Sequence, residues 1–232
     1  MGDILRLNNV TKSIGKKKIL KGISFNLEQG KVLGIMGPNG NGKTTLLNTI
    51  YGFLRETSGE ISINGKSKIT ERKNEISFLQ DNVYYKPSMK IKDAANFYND
   101  FFADFNNQKF EEYLNVMKLD RNMKIRDLSK GMNEKLGLSL ALSRETSLYM
   151  LDEPISGVDP IARDIILDTI IKNINEKAST IITTHYVGEL EKIFDDVMFI
   201  GDGTIYEYGS ADDIREKYNM SIDGAYRKIF GN

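Results

Sequence analysis

The chain has 232 residues, 40% of them hydrophobic and 28% charged, a balance that suits one domain with a sizeable core and excludes fibrous and disordered chains. Lys and Arg total 32, as do Asp and Glu, so the net charge is zero and the broad basic footprint of a duplex-binding protein is absent. Cysteine is also absent, which excludes a disulfide framework, a thiolate zinc site and a cysteine nucleophile and makes a cytoplasmic setting the default.

The first residues, MGDILRLNNV, carry acidic Asp3 where a signal peptide would have a basic region and then a long apolar stretch, so mature sequence is expected from the start. Arg6 occupies the position at which an N-myristoylation signal needs a hydroxyl. No apolar run approaches the roughly 18 residues that span a bilayer, so work at a membrane would require a partner chain to supply the crossing.

Residues 4–7, 19–20 and 23–27 show short apolar bursts separated by the Gly15-Lys16-Lys17-Lys18 turn, which predicts antiparallel strands whose lysines solvate the turn. Residues 32–36 are apolar on both alternating faces, as in a strand buried within a parallel sheet. Helical spacing runs from Lys43 to about Leu54, and a hairpin is expected over 60–68, turning at Asn64-Gly65. From 84 to 143 the pattern becomes amphipathic helix, with Ala94, Phe97, Phe101, Phe110, Tyr113, Leu114 and Met117 at three- and four-residue spacings. This predicts an inserted helical lobe with Phe97, Phe101 and Phe110 in its core. Buried-strand runs return at 148–151, 180–183 and 197–200, with a helix over 161–174, and the alternation predicts a parallel α/β sheet. The expected division is a catalytic core of 1–83 and 144–210, the lobe of 84–143, and a helical C-terminal extension of 211–232.

Gly37-Pro38-Asn39-Gly40-Asn41-Gly42-Lys43-Thr44 matches G-x-x-x-x-G-K-[ST] between a predicted buried strand and a predicted helix. Glycines let consecutive N–H groups converge on one anion, the helix start adds partial positive charge, Lys43 reaches the β- and γ-phosphates, and the Thr44 hydroxyl suits Mg²⁺. Thr45 completes the predicted nucleotide-binding set. Asp152 and Glu153 end the strand 148–151, on the edge where open α/β sheets bind ligands. Asp152 is expected to hold the metal through water and Glu153 to polarise the water that attacks the γ-phosphate.

With these located, the order of the remaining motifs becomes informative. Gln80 comes after the strand 76–79, then Leu128-Ser129-Lys130-Gly131-Met132, Asp152-Glu153, Ser156-Gly157-Val158-Asp159 and His185. The set resembles the nucleotide-binding subunit of an ATP-binding cassette (ABC) transporter of the single-cassette bacterial type, over nearly the whole chain to about residue 210. The resemblance implies a P-loop NTPase fold with an antiparallel β subdomain, a mainly parallel sheet and an inserted helical subdomain. It implies that Gln80 links the γ-phosphate and metal to the lobe. Ser129 and Gly131, within the signature 128–132, would bind the γ-phosphate of an opposite subunit, and Asp159, within the loop 156–159, would organise the dimer. His185 would contact the γ-phosphate across from Glu153.

The same resemblance implies an ATPase using ATP and Mg²⁺ at the inner face of the cell membrane. It would pair with a second copy or a homologous ATPase subunit, drive a separate membrane-spanning transporter subunit, and bind no nucleic acid. Tyr84, Tyr85 and Pro87 read as lobe core, or, as the resemblance would have it, as a docking groove for the membrane partner. Lys130 and Met132 depart from the usual L-S-G-G-Q signature in a way similar to bacterial exporter subunits. Ile14 stands where the family stacks an aromatic on adenine, which predicts weaker base discrimination. The rivals are a soluble ABC-type ATPase of DNA repair or chromosome maintenance, and a nucleotide-binding regulator without catalysis. Against the first, only 48 positions separate Gln80 from Leu128, too few for a long coiled coil; against the second, Glu153 and His185 are both in place.

Overall fold

The computed structural model describes residues 2–80, 85–156, 158–174 and 177–231. In chain order the elements are β1 (Asp3–Ile14), β2 (Lys17–Glu28), β3 (Val32–Met36), α1 (Lys43–Tyr51), β4 (Ser58–Ile63), α2 (Ile69–Asn74), β5 (Ile76–Leu79), α3 (Ile91–Phe101), α4 (Asn107–Met117) and α5 (Lys130–Leu142). They continue with β6 (Leu148–Asp152), α6 (Pro160–Asn173), β7 (Ser179–Thr184), α7 (Val187–Leu190), β8 (Asp196–Gly201), β9 (Thr204–Ser210), α8 (Ala211–Tyr218) and α9 (Ile222–Phe230).

Two sheets result. β2-β1-β4 is antiparallel, and β5-β6-β7-β3-β8-β9 is parallel except for the antiparallel β8 and β9 pair at its edge. Strand periodicity explains how the layers meet, because successive side chains point to opposite faces. Leu33 and Ile35 of β3, with Met198 and Ile200 of β8 and Leu148 and Met150 of β6, pack with α1 and the antiparallel sheet. Val32, Met36, Val197, Phe199, Tyr149 and Leu151 of the same strands face the helices α3 to α9. A strand apolar on both faces is thus stable only in the middle of three layers, and β3, between β7 and β8, is such a strand. Its C-terminal end, and those of β6 and β7, share one edge.

Several expectations are corrected. The helix after the phosphate loop stops at Tyr51, because Gly52 adopts φ 87 and closes it with a bond from its N–H to the Asn48 carbonyl (3.1 Å). The expected hairpin over 60–68 has one short arm: β4 pairs with β1, only an Ile63 to Lys66 bridge succeeds the Asn64-Gly65 turn, and α2 begins at Ile69. Phe97 and Phe101 are exposed, by 50% and 68%, and stack on each other at 4.3 Å. The face of α3 that meets the core carries Ile91, Ala94 and Ala95, with Tyr98 and Phe102 continuing it, so the two phenylalanines are rotated about 100° away. Phe110 is buried as expected. Tyr85 packs against the helical-side core, whereas Tyr84 and Gly157 lie outside the described residues.

Candidate active site

The phosphate loop leaves β3 through Gly37, where a Cβ would fall 2.1 Å from the Ile200 carbonyl oxygen, so no larger residue fits. It ends at Gly42, whose φ of 104 turns the chain directly into α1 with no side-chain cap. The first intrahelical bond runs from the Leu46 N–H to the Gly42 carbonyl (2.7 Å). The N–H groups of Lys43, Thr44 and Thr45 therefore precede the helical ladder and are those a bound anion would take. Lys43 is buried, and its Nζ donates to the carbonyls of Gly37 (2.6 Å) and Pro38 (3.4 Å). Burial pushes its pKa below the ordinary lysine value, opposed by the charges of Glu153 and then Asp152.

Across the loop, β6 delivers Asp152 fully buried, with the Thr183 hydroxyl of β7 donating to its Oδ1 at 2.5 Å. Glu153 sits in the left-handed region at φ 52, a conformation that costs a non-glycine residue about 1 kcal/mol or more. What holds it there is again Thr183: the Glu153 N–H donates to the Thr183 carbonyl (3.2 Å) and to its hydroxyl (3.0 Å). The reversal brings Glu153 Oε1 to 3.9 Å from Lys43 Nζ and Oε2 to 2.7 Å from His185 Nδ1, with the His185 N–H donating to the same oxygen at 3.3 Å. Gln80, just past β5, donates from Nε2 to Asn48 Oδ1 on α1 (3.3 Å).

Asn39, Gly40 and residues 42–45 line a cleft of about 320 Å³ together with Glu153, Ser156 and His185. The signature is elsewhere. None of residues 128–132 lines the cleft; Ser129 is the exposed N-cap of α5, its hydroxyl accepting the Met132 N–H at 3.3 Å. Leu128 and Met132 pack on the helical-side core and Lys130 is exposed. Gly131 lies beside the loop before α6, its Cβ position 3.9 Å from Asp159 Oδ2 and from Val158 Cγ1. Asp159 caps α6 by accepting the Ala162 N–H (3.0 Å). Ile14, 54% exposed, pairs with Lys17 at the hairpin end and is not among the cleft residues.

Thr183 and Asn48 were not singled out by the sequence. The signal available for Thr183 was a run of threonines at the catalytic end of an apolar strand; for Asn48 there was none beyond its place one turn into α1.

The family model described as "ABC transporter" matches residues 20–156, more than half of the chain. The chain belongs to the ABC transporter family. It is 30% identical over 221 residues to the linearmycin resistance ATP-binding protein LnrL of Bacillus subtilis (strain 168), covering 91% of this chain and 70% of that one. It is 29% identical over 225 residues to the lantibiotic transport ATP-binding protein SrtF of Streptococcus pyogenes, covering 94% of this chain and 97% of that one. Among solved structures, the ATP-binding subunit of an ABC transporter superposes with a TM-score of 0.88 at 22% identity, over 97% of this chain and 99% of that one. The protein is therefore a single-cassette ABC ATPase, a transporter subunit that binds and hydrolyses ATP. No described helix is long and apolar enough to cross a membrane.

The three residues that the sequence points to for a magnesium ion offer a hydroxyl (Thr44), a carboxylate (Asp152) and an amide oxygen (Gln80). All are hard oxygen donors. That composition fits Mg²⁺, which keeps waters and binds through one or two protein groups and the substrate phosphates.

Proposed function

We propose that this ABC ATPase works as a pair of cassettes closed around two ATP molecules, the second being another copy or a homologous ATPase subunit. Each ATP is gripped by one phosphate loop and by Ser129 and Gly131 of the opposite subunit. The observation that carries this reading is the separation of the signature from the cleft: Ser129 presents an exposed helix start, with Asp159 alongside Gly131, and contributes nothing to the pocket of its own chain. Such a helix start favours an anion brought by another molecule.

In the closed pair, the loop N–H groups and Lys43 hold the β- and γ-phosphates. When bound, Mg²⁺ at Thr44, Asp152 and Gln80 neutralises charge on the phosphates. Glu153 polarises the attacking water and takes its proton, while His185 orients that carboxylate and faces the γ-phosphate. Loss of the γ-phosphate removes the shared anion and releases the pair.

Gln80 lines a second, aromatic groove with Phe53, Phe78, Phe97, Tyr98 and Phe102, and its bond to Asn48 ties that groove to α1, the helix that follows the phosphate loop. A cytoplasmic helix of the membrane subunit docks there, at the inner face of the membrane, and feels the γ-phosphate through Gln80. Export is the proposed direction, supported by Lys130 and Met132 in the signature and by relatives named for linearmycin resistance and lantibiotic transport. The short helices α3 and α4, of 11 residues each, give no support to a DNA-repair role.

The test uses Glu153→Gln, which keeps shape but loses the base, so hydrolysis should slow by roughly 10²–10⁴-fold while ATP-bound dimers accumulate. Light scattering of Glu153→Gln with and without Ser129→Arg then decides the trans site. The arginine variant is expected to bind ATP and remain monomeric; dimerisation equal to its parent's overturns the reading.

A further inference from the structure

Asn41 belongs to the phosphate loop, yet it is absent from the cleft its neighbours line. Its Nδ2 and its backbone N–H both donate to the Pro38 carbonyl (3.3 Å each), while its Oδ1 accepts the Asp202 N–H at 2.7 Å. The side chain therefore ties two points of the loop to a turn 161 positions later in the chain.

That turn, Asp202-Gly203 between β8 and β9, is itself fixed from both sides. Both residues have positive φ, 48 and 74, as in the tight hairpin turns that match strand twist. On one side the turn lies against β2, where the Gly203 carbonyl accepts the Lys21 N–H at 2.8 Å and a Cβ on Gly203 would fall 1.9 Å from the Ile19 carbonyl oxygen. On the other, the Tyr206 hydroxyl donates to Asp202 Oδ2 (3.1 Å), and the Tyr206 ring stacks on Phe230 at 5.5 Å and 21°. Phe230 ends α9 and is seated in turn on Tyr226 (5.2 Å) and Phe199 (6.3 Å). A continuous line of contacts thus runs from the C-terminal helix to the phosphate loop.

We propose that Asn41 is a positioning residue through which the C-terminal extension, by way of Phe230, Tyr206 and Asp202, sets the affinity of the phosphate loop for nucleotide. The proposal rests on the reading of residues 37–45 as the ATP-binding loop. The loop N–H groups bind a phosphate tightly only if they already converge, since ordering them at the moment of binding consumes binding free energy. Gly40 and Gly42 supply the freedom the turn needs, and the Asn41 clamp removes the part of that freedom that binding would otherwise have to remove. The contribution acts on bound and reacting ATP alike, so it appears in affinity and not in turnover.

The experiment measures MgADP affinity by calorimetry and steady-state ATP hydrolysis in Asn41→Ala, Tyr206→Phe, Phe230→Leu and the double variant Asn41→Ala/Tyr206→Phe. Tyr206→Phe keeps the stacked ring and loses only the hydroxyl, so it reports on the line of contacts even if Phe230→Leu unfolds. Asn41→Ala is expected to raise Kd for MgADP and KM for ATP about fivefold, the size of one neutral hydrogen bond, with kcat within about twofold of the parent. Tyr206→Phe should raise them about threefold, and the double variant should bind as Asn41→Ala does, because both act through one contact line. A role confined to stability would lower the melting temperature without this split of KM from kcat. Unchanged Kd in both Asn41→Ala and Tyr206→Phe, or effects that multiply in their double, overturn the proposal. Lys43→Ala is measured in parallel: normal MgADP affinity there refutes the nucleotide reading of the loop itself, whereas lost affinity there with none lost in Asn41→Ala refutes the coupling alone.

Discussion

His185 Nδ1 lies 2.7 Å from Glu153 Oε2, while the other oxygen of that carboxylate stands 3.9 Å from Lys43 Nζ. The imidazole is part exposed and the carboxylate largely buried, so the contact points Glu153 along the cleft and leaves the ring open to an arriving phosphate. His185→Ala should therefore reduce ATP turnover by about 10²-fold or more, the range for a mis-oriented general base. Nucleotide affinity, carried by the loop, should change little. Paired measurements of kcat and of MgADP affinity by calorimetry check this; a parallel fall in affinity would place His185 among the binding groups instead.

Thr183 serves two adjacent carboxylates, donating its hydroxyl to Asp152 and accepting the Glu153 N–H. Thr183→Val keeps the shape and removes both contacts. The variant is expected to lose about 1–3 kcal/mol of stability, because a buried carboxylate is left short of a donor. The Mg²⁺ concentration for half-maximal hydrolysis should also rise several-fold. Urea unfolding and a magnesium titration of activity give the two values.

Ile14 ends the first strand at the tip of the hairpin, more than half exposed. An aromatic there can stack on a base where an aliphatic side chain recovers only part of the contact. Ile14→Tyr should tighten ATP binding by about 1 kcal/mol or more; Ile14→Ala should leave the ratio of ATP to GTP affinity nearly unchanged. A strong ATP preference in the parent protein that Ile14→Ala does not alter would contradict the assignment of Ile14 to the base site.

The Tyr149 phenol is buried within β6, donating to the Arg144 carbonyl (2.5 Å), and burial pushes its pKa up to about 12. The folded state holds this proton to higher pH than the unfolded chain, in which tyrosine titrates near 10. Stability from this group is therefore complete below about pH 10 and declines as pH rises towards 12. Tyr149→Phe should flatten that part of the stability profile, as read from urea midpoints between pH 9 and 11.5.

The phosphate loop could be read from the chain because its chemistry is local: glycines, Lys43 and Thr44 act from consecutive positions, between a strand and a helix that their own patterns announce. The carboxylates were legible for the same reason, being adjacent in sequence at the end of an apolar strand. Phe97 and Phe101 were misplaced because a three- and four-residue spacing identifies a helical stripe without saying which stripe meets the core; the adjacent stripe through Ile91, Ala94 and Tyr98 does so. The single-bridge arm after Asn64-Gly65 was read as a longer hairpin because turn chemistry marks the reversal, while the partner of β4 is decided by β1.

The sequence by itself determined most of the strands and helices and the nucleotide chemistry, which depend on residue types at short separations, and the family, which depends on the order of such local motifs along the chain. The tertiary structure alone decided which groups touch: Thr183 with Asp152 and Glu153, His185 with Glu153, Gln80 with Asn48, and Asn41 with Asp202. Those contacts join strands, loops and the helix α1 across 30 to 161 positions. The contacts of Thr183 and His185 with Asp152 and Glu153 are fixed by the parallel register that aligns the ends of β6 and β7, where a one-residue slip would separate them while leaving the local patterns intact. Those of Gln80 with Asn48 and of Asn41 with Asp202 are fixed by how α1 and the β8–β9 turn pack on the sheet.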